Sequence, residues 1–522
     1  MQRSNSTPAA GGRRRGSLTS ARLLRLVAAL AALCATSAVM AATASAEGFN
    51  EEFNKAYEAG VSGYVYGQPL LDLQRLYESN TSVTVPDSQG DAPVNQWSHF
   101  TELATTKEGE IVSPNADTLY SYAWLELKPQ PMVLDVPVAG RFNVVPMMTP
   151  YTENFADIGE DASGLLAPGT YVIAGPGELA GKEEYRGLKV IHSPYDRVWL
   201  VARTVVDSLE DTANAVKIQA EQKLVPLSNW KREGFSYTPP APEKVVTTPI
   251  ETHVPGTVAG EEPLVYWTAL GAAMKQFKPP TADAPELELL KTEDIGPGKS
   301  PANDSKLGPG TLAGLRAAVT AGPGVVHADL TKMVGEGFEK HNGWGVARVG
   351  IYGTNYILRA VVDQIGLAGL PPNISIYPFA TTERHGVPLT GASGKKYVAH
   401  FPASDFPVPV QGFWSVTMYT TTGYFTSNVL NRYTLGNRSN LQYEEGGGLN
   451  MYIQSEEPAT EAEQDNWLPA PEGPFQLIMR LYGTDEISIE PILEGAPGSW
   501  KPPTILPCLE NGKTAAGCNC AS

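Results

Sequence analysis

Two stretches of this 522-residue chain place polar side chains among aromatic rings, in or just before predicted β-strands. The first stretch carries five candidate site residues: Asn95, His99, Asn115, Asp117 and Tyr120. A histidine among aromatic rings can have its pKa moved into the range where it works as an acid or base. We therefore predict His99 as a catalytic acid or base, helped by Asp117 and Tyr120. Asn95 and Asn115 are predicted to bind a ligand.

The same residues also fit a structural role. Asn115 and Asp117 stand directly before a strand, where short polar side chains commonly tie a turn through backbone hydrogen bonds. His99 also fits a buried histidine that is bonded to the backbone. We expect His99 to line a cavity with the Asn115–Tyr120 stretch, because a wholly apolar core would leave its ring nitrogens without partners.

The second stretch consists of two C-terminal segments, Phe413–Tyr419 and Phe475–Tyr482. In both segments polar and apolar residues alternate, as they do in β-strands. Because successive side chains of a strand point to opposite faces, one face collects serine, threonine, glutamine, arginine and tyrosine. This face either meets solvent or lines a cleft, where an arginine would hold a carboxylate through its two-pronged guanidinium. We predict four further ligand-binding residues: Arg359, Arg432, Arg480 and Tyr482.

Other common reaction centres have no local signature in the sequence. The seven histidines show no spacing typical of a metal site, so we predict no tightly held transition metal, and we predict no cofactor. There is no Gly-x-Ser-x-Gly nucleophile elbow and no phosphate-binding Gly-Lys loop. The run Asp157–Asp161 predicts an acidic turn, either a solvated loop or a calcium loop.

The first 46 residues have the pattern of a secretory signal peptide. Arg13–Arg15 give a charged start, an alanine- and leucine-rich run begins at Leu26, and Ala44-Ser45-Ala46 fits a cleavage site. We predict that the mature protein begins at Glu47, is exported to the periplasm or the extracellular space, and is not stably inserted in a membrane. An uncleaved anchor is the alternative, because Leu26–Ala46 is long enough to span a bilayer.

Charge narrows the range of partners. The leader holds six arginines and no acidic residue, so its removal lowers the net charge from −17 to −23. Such an acidic surface repels nucleic acid and anionic lipid, and we predict no nucleic-acid partner. The expected partner is a small-molecule or polysaccharide-like ligand, while the oligomeric state stays open.

Three cysteines remain after the leader, all within residues 508–522. Cys508 can pair with either Cys518 or Cys520 in the oxidising space that an exported protein enters. We predict a short tail closed by one disulfide, with one spare thiol.

The order of predicted elements indicates a mainly β protein with a helical segment, built from two antiparallel β-sandwich or jelly-roll-like domains. Short strands with little helix between them run from Ser113 to Val206 and again from Ala380 to Pro491. We predict five parts: a signal peptide at 1–46, an N-terminal β-sandwich domain with flanking helices at 47–236, a Pro-rich linker and helical segment at 237–344, a jelly-roll-like domain at 345–507 and a Cys-containing tail at 508–522.

Four shorter segments carry predictions of their own. Glu51–Ser79 has helical spacing interrupted by three glycines, which predicts a broken helix. Leu312–Val334 and Gly345–Leu367 predict two helices. Pro137–Gly140 predicts a hairpin turn between the two strands that flank it.

Ten segments together have a pattern that is known from other proteins. In the N-terminal half these are Asn95–His99, Ser113–Leu127, Tyr151–Gly159, Tyr171–Gly177 and Val198–Thr204. In the C-terminal half they are Tyr356–Ala360, Phe413–Tyr419, Asn428–Tyr433, Asn466–Pro471 and Arg480–Tyr482. On these segments the chain resembles proteins that join the two uncharacterised domain families numbered twelve-fifty-four and twelve-fourteen. The resemblance implies two β-sandwich-type domains, the second jelly-roll-like, around a helical segment, and it implies no established reaction.

Three functions stay open on the sequence. The first is an exported protein that binds a small or extended polar ligand in a cleft of its β domains. The second is a hydrolase or lyase acting on such a ligand with His99 as the acid or base. The third is a structural or surface interaction protein without pocket chemistry. A deep cleft containing His99 would favour the enzyme over the binding protein, and a flat, well-filled surface would favour the third function.

Overall fold

The computed structural model describes residues 18–107, 112–177, 185, 187–242, 253–337 and 340–521, while the side chains of 18–45 and 333–337 lie outside that description. The charged start of the predicted signal peptide, Arg13–Arg15, also lies outside the described residues. The helices of the described residues are α1 Leu18–Thr81, α2 Thr212–Glu221, α3 Leu227–Glu233, α4 Val265–Gln276, α5 Ala284–Lys291, α6 Pro309–Gly337, α7 Tyr356–Gly366, α8 Glu461–Asp465 and α9 Glu486–Glu494.

The strands of the N-terminal half form two sheets. They are β1 Ser98–His99, β2 Thr118–Glu126, β3 Met132–Val136, β4 Asn143–Met148, β5 Asn154–Glu160, β6 Gly169–Ala174, β7 Lys189–His192, β8 Arg197–Val205 and β9 Lys223–Pro226. Sheet A has the strand order β1-β2-β8-β4-β5, and all of its pairs are antiparallel. Sheet B has the order β7-β6-β3-β9, in which β6 and β7 are parallel and the other pairs are antiparallel.

One face of sheet A and one face of sheet B share an apolar core. Leu200 of sheet A belongs to the same buried cluster as Leu134 and Ile173 of sheet B. The opposite face of sheet A is buried as well, and there Trp124 stacks on Trp199 with 5.0 Å between the ring centroids. Because β2 and β8 are covered on both sides, apolar residues occupy both of their faces, as predicted for a central strand.

The strands of the C-terminal half form two further sheets. They are β10 Ser375–Ile376, β11 Phe379–Ala380, β12 Tyr397–Phe401, β13 Val410–Thr420, β14 Thr434–Gly436, β15 Leu449–Gln454, β16 Trp467–Pro469, β17 Phe475–Thr484 and β18 Thr504–Pro507. Sheet C has the order β10-β17-β13-β14, and β11 also pairs with β17. Sheet D has the order β16-β15-β12-β18, in which β15 and β16 are parallel.

The alternation in β13 and β17 sorts their side chains as the sequence predicts. Trp414 and Val416 of β13 and Leu477 of β17 lie in a core cluster that also contains Ala399 and Met451 of sheet D. The other face of sheet C, with its arginine, tyrosine, glutamine, serine and threonine side chains, is turned away from that core. It faces sheet A and the helices.

Helix α1 runs without interruption through the segment where the glycines predict a break, so that prediction is wrong. The glycines serve helix packing instead. A Cβ at Gly60 would lie 2.6 Å from the Cβ of Ala318 in α6, and one at Gly67 would lie 2.6 Å from Cδ2 of Leu270 in α4. Hydrogen in place of a side chain therefore lets α1 approach both helices closely.

The helical segment is close to its predicted position, with one exception. Helix α6 covers the predicted Leu312–Val334. The predicted helix at Gly345–Leu367 is only half correct, because α7 begins at Tyr356, where the Asn355 side chain accepts a hydrogen bond from the backbone N–H of Leu358. Gly345 instead exchanges backbone hydrogen bonds with Phe379.

Two predictions about local strand structure are wrong. The strands on either side of Pro137–Gly140 do not form a hairpin, because β3 lies in sheet B and β4 lies in sheet A. The predicted acidic turn at Asp157–Asp161 is mostly strand, since β5 extends to Glu160 and pairs with β4. The broader prediction is confirmed: the described residues form many antiparallel strands in several sheets, together with helices.

The C-terminal tail is closed by a disulfide between Cys508 and Cys520. Cys518 is a free thiol, so one of the two pairings that the sequence left open is the one observed. Among the helices of the described residues, none combines the length and the apolar character needed to cross a membrane.

Candidate functional site

A cavity of about 650 Å³ lies between sheet A, sheet C and the helices α6 and α7. This volume is in the range of sites that enclose small molecules. Helices α6 and α7, with Leu367 directly after α7, supply a mostly apolar wall made by Leu330, Leu358, Val361, Val362, Ile365 and Leu367, together with the polar residues His327, Thr331 and Gln364. The two sheets supply Tyr120, Arg203, Gln476, Arg480 and Tyr482, and connecting segments supply the other polar groups.

Sheet A contributes Tyr120 and Arg203 to the cavity. These residues are direct partners across the β2–β8 pair, so their side chains share one face of the sheet. The Arg203 guanidinium is held by backbone oxygens: Nη1 donates to Val201 at 3.0 Å and Nη2 donates to Ala368 at 2.6 Å. It also lies 5.2 Å from the centroid of the Tyr120 ring.

Sheet C contributes Gln476, Arg480 and Tyr482, which alternate along β17 and therefore point the same way. Nη1 of Arg480 donates to Oγ1 of Thr417 at 3.1 Å, and Nη2 donates to the backbone oxygen of Ser113 at 2.9 Å. The sequence left open whether this face meets solvent or lines a cleft. The fold makes the β17 part of this face a wall of the cavity, while Ser415, Thr417 and Tyr419 of β13 are fully buried outside the lining.

The loop before β2 ties sheet A to sheet C at the edge of this cavity. The Asn115 side chain accepts from the backbone N–H of Asp117 at 2.7 Å, which fixes its Nδ2 to donate to the Tyr482 hydroxyl at 2.6 Å. Asp117 accepts from Ser415 at 2.6 Å and from Arg438 at 2.8 Å. Asn115 and Asp117 therefore form the predicted turn, but they also bind residues about 300 positions away, which the sequence did not indicate.

The described lining of the cavity contains arginines but no acidic residue to pair with them. The described lining residues include no aspartate or glutamate. Among the described residues, neither Arg203 nor Arg480 has a carboxylate within ion-pair distance. Burial raises the pKa of the Tyr482 hydroxyl well above its usual range, so this group stays protonated at neutral pH.

Asp157 of β5 is the acidic group that acts on Arg203 from outside the lining. Burial raises the pKa of its carboxyl to about 7, and the positive charge of Arg203 opposes that rise. Its Oδ1 is buried and has no hydrogen-bond partner among the described residues. At neutral pH this carboxyl is therefore only partly charged and only partly neutralises the guanidinium.

His99 lies apart from the cavity. It pairs with Ser121 across β1 and β2, and its Nδ1 is 2.7 Å from the Ser121 hydroxyl. Tyr120 and Ser121 are neighbours on one strand and point to opposite faces, so the structure does not bring His99 together with Tyr120. Burial, with a smaller effect of Lys223, lowers the pKa of His99 to about 4, and the ring is neutral at neutral pH.

Asn115 and Asp117 are not part of the cavity lining, and three other predicted ligand-binding residues also lie outside it. Asn95 exchanges hydrogen bonds with the backbone of Glu126. Arg432 donates to the backbone oxygen of Gln464, in α8, at 2.6 Å and to that of Trp467, in β16, at 2.9 Å. Arg359 is buried in the helical layer among the rings of Tyr66, Tyr151 and Tyr356, at 5.2 to 5.7 Å from their centroids.

Sequence reasoning missed Arg203, Tyr377 and Arg438. Arg203 had a usable signal, because an arginine that follows a run of apolar residues within one strand must find an unusual environment. Tyr377 and Arg438 lie in connecting segments, where no periodicity gives the direction of a side chain. Among the described residues, no group of three or more His, Cys, Asp or Glu is placed to hold a metal ion.

These features define a protein with two pairs of β-sheets and a cavity between them. The family described as protein of unknown function (DUF1254) matches residues 94–226, and the family described as protein of unknown function (DUF1214) matches residues 374–486. The chain therefore belongs to the proteins that join a DUF1254 domain to a DUF1214 domain, as the sequence resemblance predicted.

One similar solved structure is that of the VPA0106 protein from Vibrio parahaemolyticus, with 20% sequence identity and a TM-score of 0.59 over 86% of this chain and 99% of that chain. At this identity the likeness concerns the fold. A second is an uncharacterised protein from Burkholderia cenocepacia, with 11% identity and a TM-score of 0.39 over 84% of this chain and 93% of that chain. A comparison with curated proteins gives no match.

Proposed function

We propose that this protein is an exported binding protein for a small ligand, which occupies the cavity between sheet A, sheet C, α6 and α7. The observation that carries the proposal is the cavity of about 650 Å³, with an apolar helical wall and polar groups converging from two sheets. Binding sites for small molecules typically combine these two kinds of lining. The ligand then has an apolar body and a polar end, so it is more apolar than the small or extended polar ligand that the sequence predicted.

Ligand binding is better supported than the hydrolase or lyase alternative. That alternative depends on His99 as the acid or base, and His99 bonds to Ser121 on the face of β2 opposite to Tyr120. A catalytic base must come within hydrogen-bond reach of the proton that it removes. The interaction-protein alternative predicts a flat, well-filled surface, and a cavity of about 650 Å³ does not support it.

Export is supported by two features. Ala44-Ser45-Ala46 follows an alanine- and leucine-rich run, as at a signal-peptidase site. The Cys508–Cys520 disulfide is of the kind that persists in oxidising compartments. N-terminal sequencing of protein recovered outside the cytoplasm should give Glu47 as the first residue, whereas intact protein in the membrane fraction would contradict export.

We further infer that each pair of sheets is a two-layer sandwich, with a jelly-roll-like course in the C-terminal pair. The shared core of sheets A and B and that of sheets C and D support this architecture. The cavity then lies between the outer faces of the two sandwiches. An experimental structure in which either pair of sheets lacked a common core would contradict it.

The binding proposal can be tested with N-phenyl-1-naphthylamine, a neutral apolar probe whose fluorescence rises in an apolar site. Ile478 lines the cavity from sheet C, and Ile478→Trp should fill part of the space and weaken the binding of the probe. The matched control is Ile487→Trp, because Ile487 is 87% exposed on α9. Circular dichroism checks that both variants are folded. Equal binding by the two variants, or no binding by the wild-type protein, would contradict the proposal.

A further inference from the structure

We infer that the ligand of this cavity is an amphipathic carboxylate, whose charged group lies between Arg203 and Arg480 while its apolar body lies along α6 and α7. The inference rests on the proposed binding function and names the chemical class of the ligand. It is carried by the placement of two buried guanidiniums, two hydroxyl protons and one apolar wall around a single space.

The two guanidiniums line the cavity from opposite sheets, and both residues are only 4% exposed. Their hydrogen bonds go to neutral oxygens: Val201 and Ala368 for Arg203, Thr417 and Ser113 for Arg480. A buried positive charge that meets only neutral partners is costly. An anion in the cavity would reduce that cost, and it would leave the existing hydrogen bonds intact.

Neighbouring groups offset only part of this charge. The rings of Tyr120 and Tyr419 lie 5.2 and 5.7 Å from the guanidinium carbons of Arg203 and Arg480. Ring faces attract cations but leave the N–H edges of a guanidinium free to bind an anion. Asp117, the carboxylate that acts on Arg480, is already held by Arg438 and Ser415.

Two tyrosines add donors to the same space. The Tyr482 hydroxyl accepts from Nδ2 of Asn115 at 2.6 Å, and the Tyr377 hydroxyl accepts from the backbone N–H of Leu370 at 3.1 Å. Each hydroxyl oxygen is thus used as an acceptor, and its proton has no acceptor among the described residues. Both tyrosines line the cavity, so these protons are available to a ligand oxygen.

The rest of the lining fixes the class of the ligand. A carboxylate matches the planar fork of an arginine and accepts several hydrogen bonds at once. The absence of aspartate and glutamate from the described lining disfavours a cation. The side chains of α6 and α7 that face the cavity, such as Leu330, Leu358 and Val362, would bury a hydrocarbon or aromatic body.

The test compares cis-parinaric acid with its methyl ester, which has the same body and no charge. We expect the wild-type mature protein to bind the acid about ten- to hundredfold more tightly, as charge-assisted hydrogen bonds contribute in buried sites. Arg480→Met and Arg203→Met should each remove most of this preference and leave the affinity for the ester nearly unchanged. Arg348→Met is the control, since Arg348 pairs with Glu490 on the surface, outside the cavity.

The outcomes separate this inference from the proposed function. If N-phenyl-1-naphthylamine binds and acid and ester bind equally, the carboxylate inference is overturned and the binding function stands. If none of the three probes binds, both fail. If the methionine variants do not fold, Tyr377→Phe decides, because it keeps the ring and removes one donor. A loss of affinity for the acid alone supports the inference, and an unchanged ratio of acid to ester affinity overturns it.

Discussion

Asp117, in the loop before β2, is buried and forms an ion pair with the partly buried Arg438, in the loop after β14, with 2.8 Å between Oδ1 and Nη2. The Ser415 hydroxyl donates to the other carboxylate oxygen at 2.6 Å. Along the same loop, Asn115 binds Tyr482. One of the five segments that carry the family resemblance in the N-terminal half, Ser113–Leu127, therefore forms a contact between the two halves of the protein.

Removal of the Asp117 carboxylate should strongly destabilise the protein. Asp117→Ala leaves the Arg438 guanidinium without its charged partner, and two of its nitrogens, Nε and Nη1, already lack hydrogen-bond partners among the described residues. We expect a loss of about 3–5 kcal/mol in the free energy of unfolding, as for other broken buried pairs. Urea denaturation of the wild-type protein and the variant measures this difference.

Two controls test whether the ion pair is the cause. Asp207 lies 3.9 Å from Nε of Arg438 but is 56% exposed, so Asp207→Ala should cost less than about 1 kcal/mol. The double variant Asp117→Ala/Arg438→Met should be more stable than Asp117→Ala alone, because it removes the unpaired charge. If the effects of the two substitutions simply add, the pair is not the source of the loss.

A close backbone approach provides a second prediction. Gly483 in β17 has a φ of +69°, and a Cβ there would lie 1.9 Å from the backbone oxygen of Asp161 in the other half of the protein. Gly140 has a φ of +66° and open space around it. Both alanine substitutions cost about 1–2 kcal/mol for the left-handed backbone. We expect Gly483→Ala to cost a further 1–3 kcal/mol, roughly that of overpacking.

Thermal or urea denaturation of the two glycine variants separates the two effects. Because the φ angles are nearly the same, the difference between the variants mainly reports the contact between the halves. Similar losses of stability in Gly483→Ala and Gly140→Ala would show that the backbone at this contact moves to accommodate the added methyl group without a measurable loss of stability.

The sequence predicted the strands well, because their signal is local. The alternation in β13 and β17 gave the correct faces. Strand pairing is not local, and this is why the hairpin at Pro137–Gly140 was wrong. The chain passes from sheet B to sheet A at that point, and the turn residues look the same in either case.

The candidate site was predicted only in part for the same reason. Arg480 and Tyr482 were found because a neighbouring strand defines their face. His99 was assigned to the wrong neighbours, because the register of β1 against β2 decides which face it joins. Arg203 and Arg480 line the same cavity from different sheets, and no spacing along the chain indicates that they lie near each other.

His99 should make stability depend on pH in a defined direction. Burial lowers its pKa to about 4 from the ordinary value of 6.5, so the unfolded chain binds a proton more readily between these values. Stability from this residue is complete above pH 6.5 and is lost as the pH falls towards 4, by at most about 3 kcal/mol. His99→Gln should flatten this part of the curve of unfolding free energy against pH.

The comparison between variants isolates His99 from the acidic groups that titrate nearby. His192 is exposed at the end of β7, and His192→Gln should leave the curve as in the wild-type protein. The affinity for N-phenyl-1-naphthylamine should be unchanged in His99→Gln, because the ring lies outside the cavity. If the variant keeps its stability but no longer binds the probe, His99 takes part in ligand binding after all.

Asp157 should make stability depend on pH in the direction opposite to that expected for His99. Burial raises the pKa of its carboxyl to about 7 from 3.8, so the folded protein binds the proton more readily than the unfolded chain does. Stability from this residue is complete below pH 3.8 and is lost as the pH rises through 7, by up to about 4 kcal/mol. Asp157→Asn replaces the carboxyl with a neutral group of the same shape. We therefore expect the variant to be more stable than the wild-type protein at pH 8.

The difference between Asp157→Asn and the wild-type protein should shrink steadily when urea denaturation is repeated from pH 8 down to pH 5. Asp207→Asn, at an exposed carboxylate, should show no such trend. A variant that is less stable than the wild-type protein at pH 8 would mean that the charged form of Asp157 stabilises Arg203 more than burial penalises it. In that case Asp157 would already neutralise Arg203 from outside the cavity lining, and the carboxylate of a ligand would bind Arg480 more strongly than Arg203.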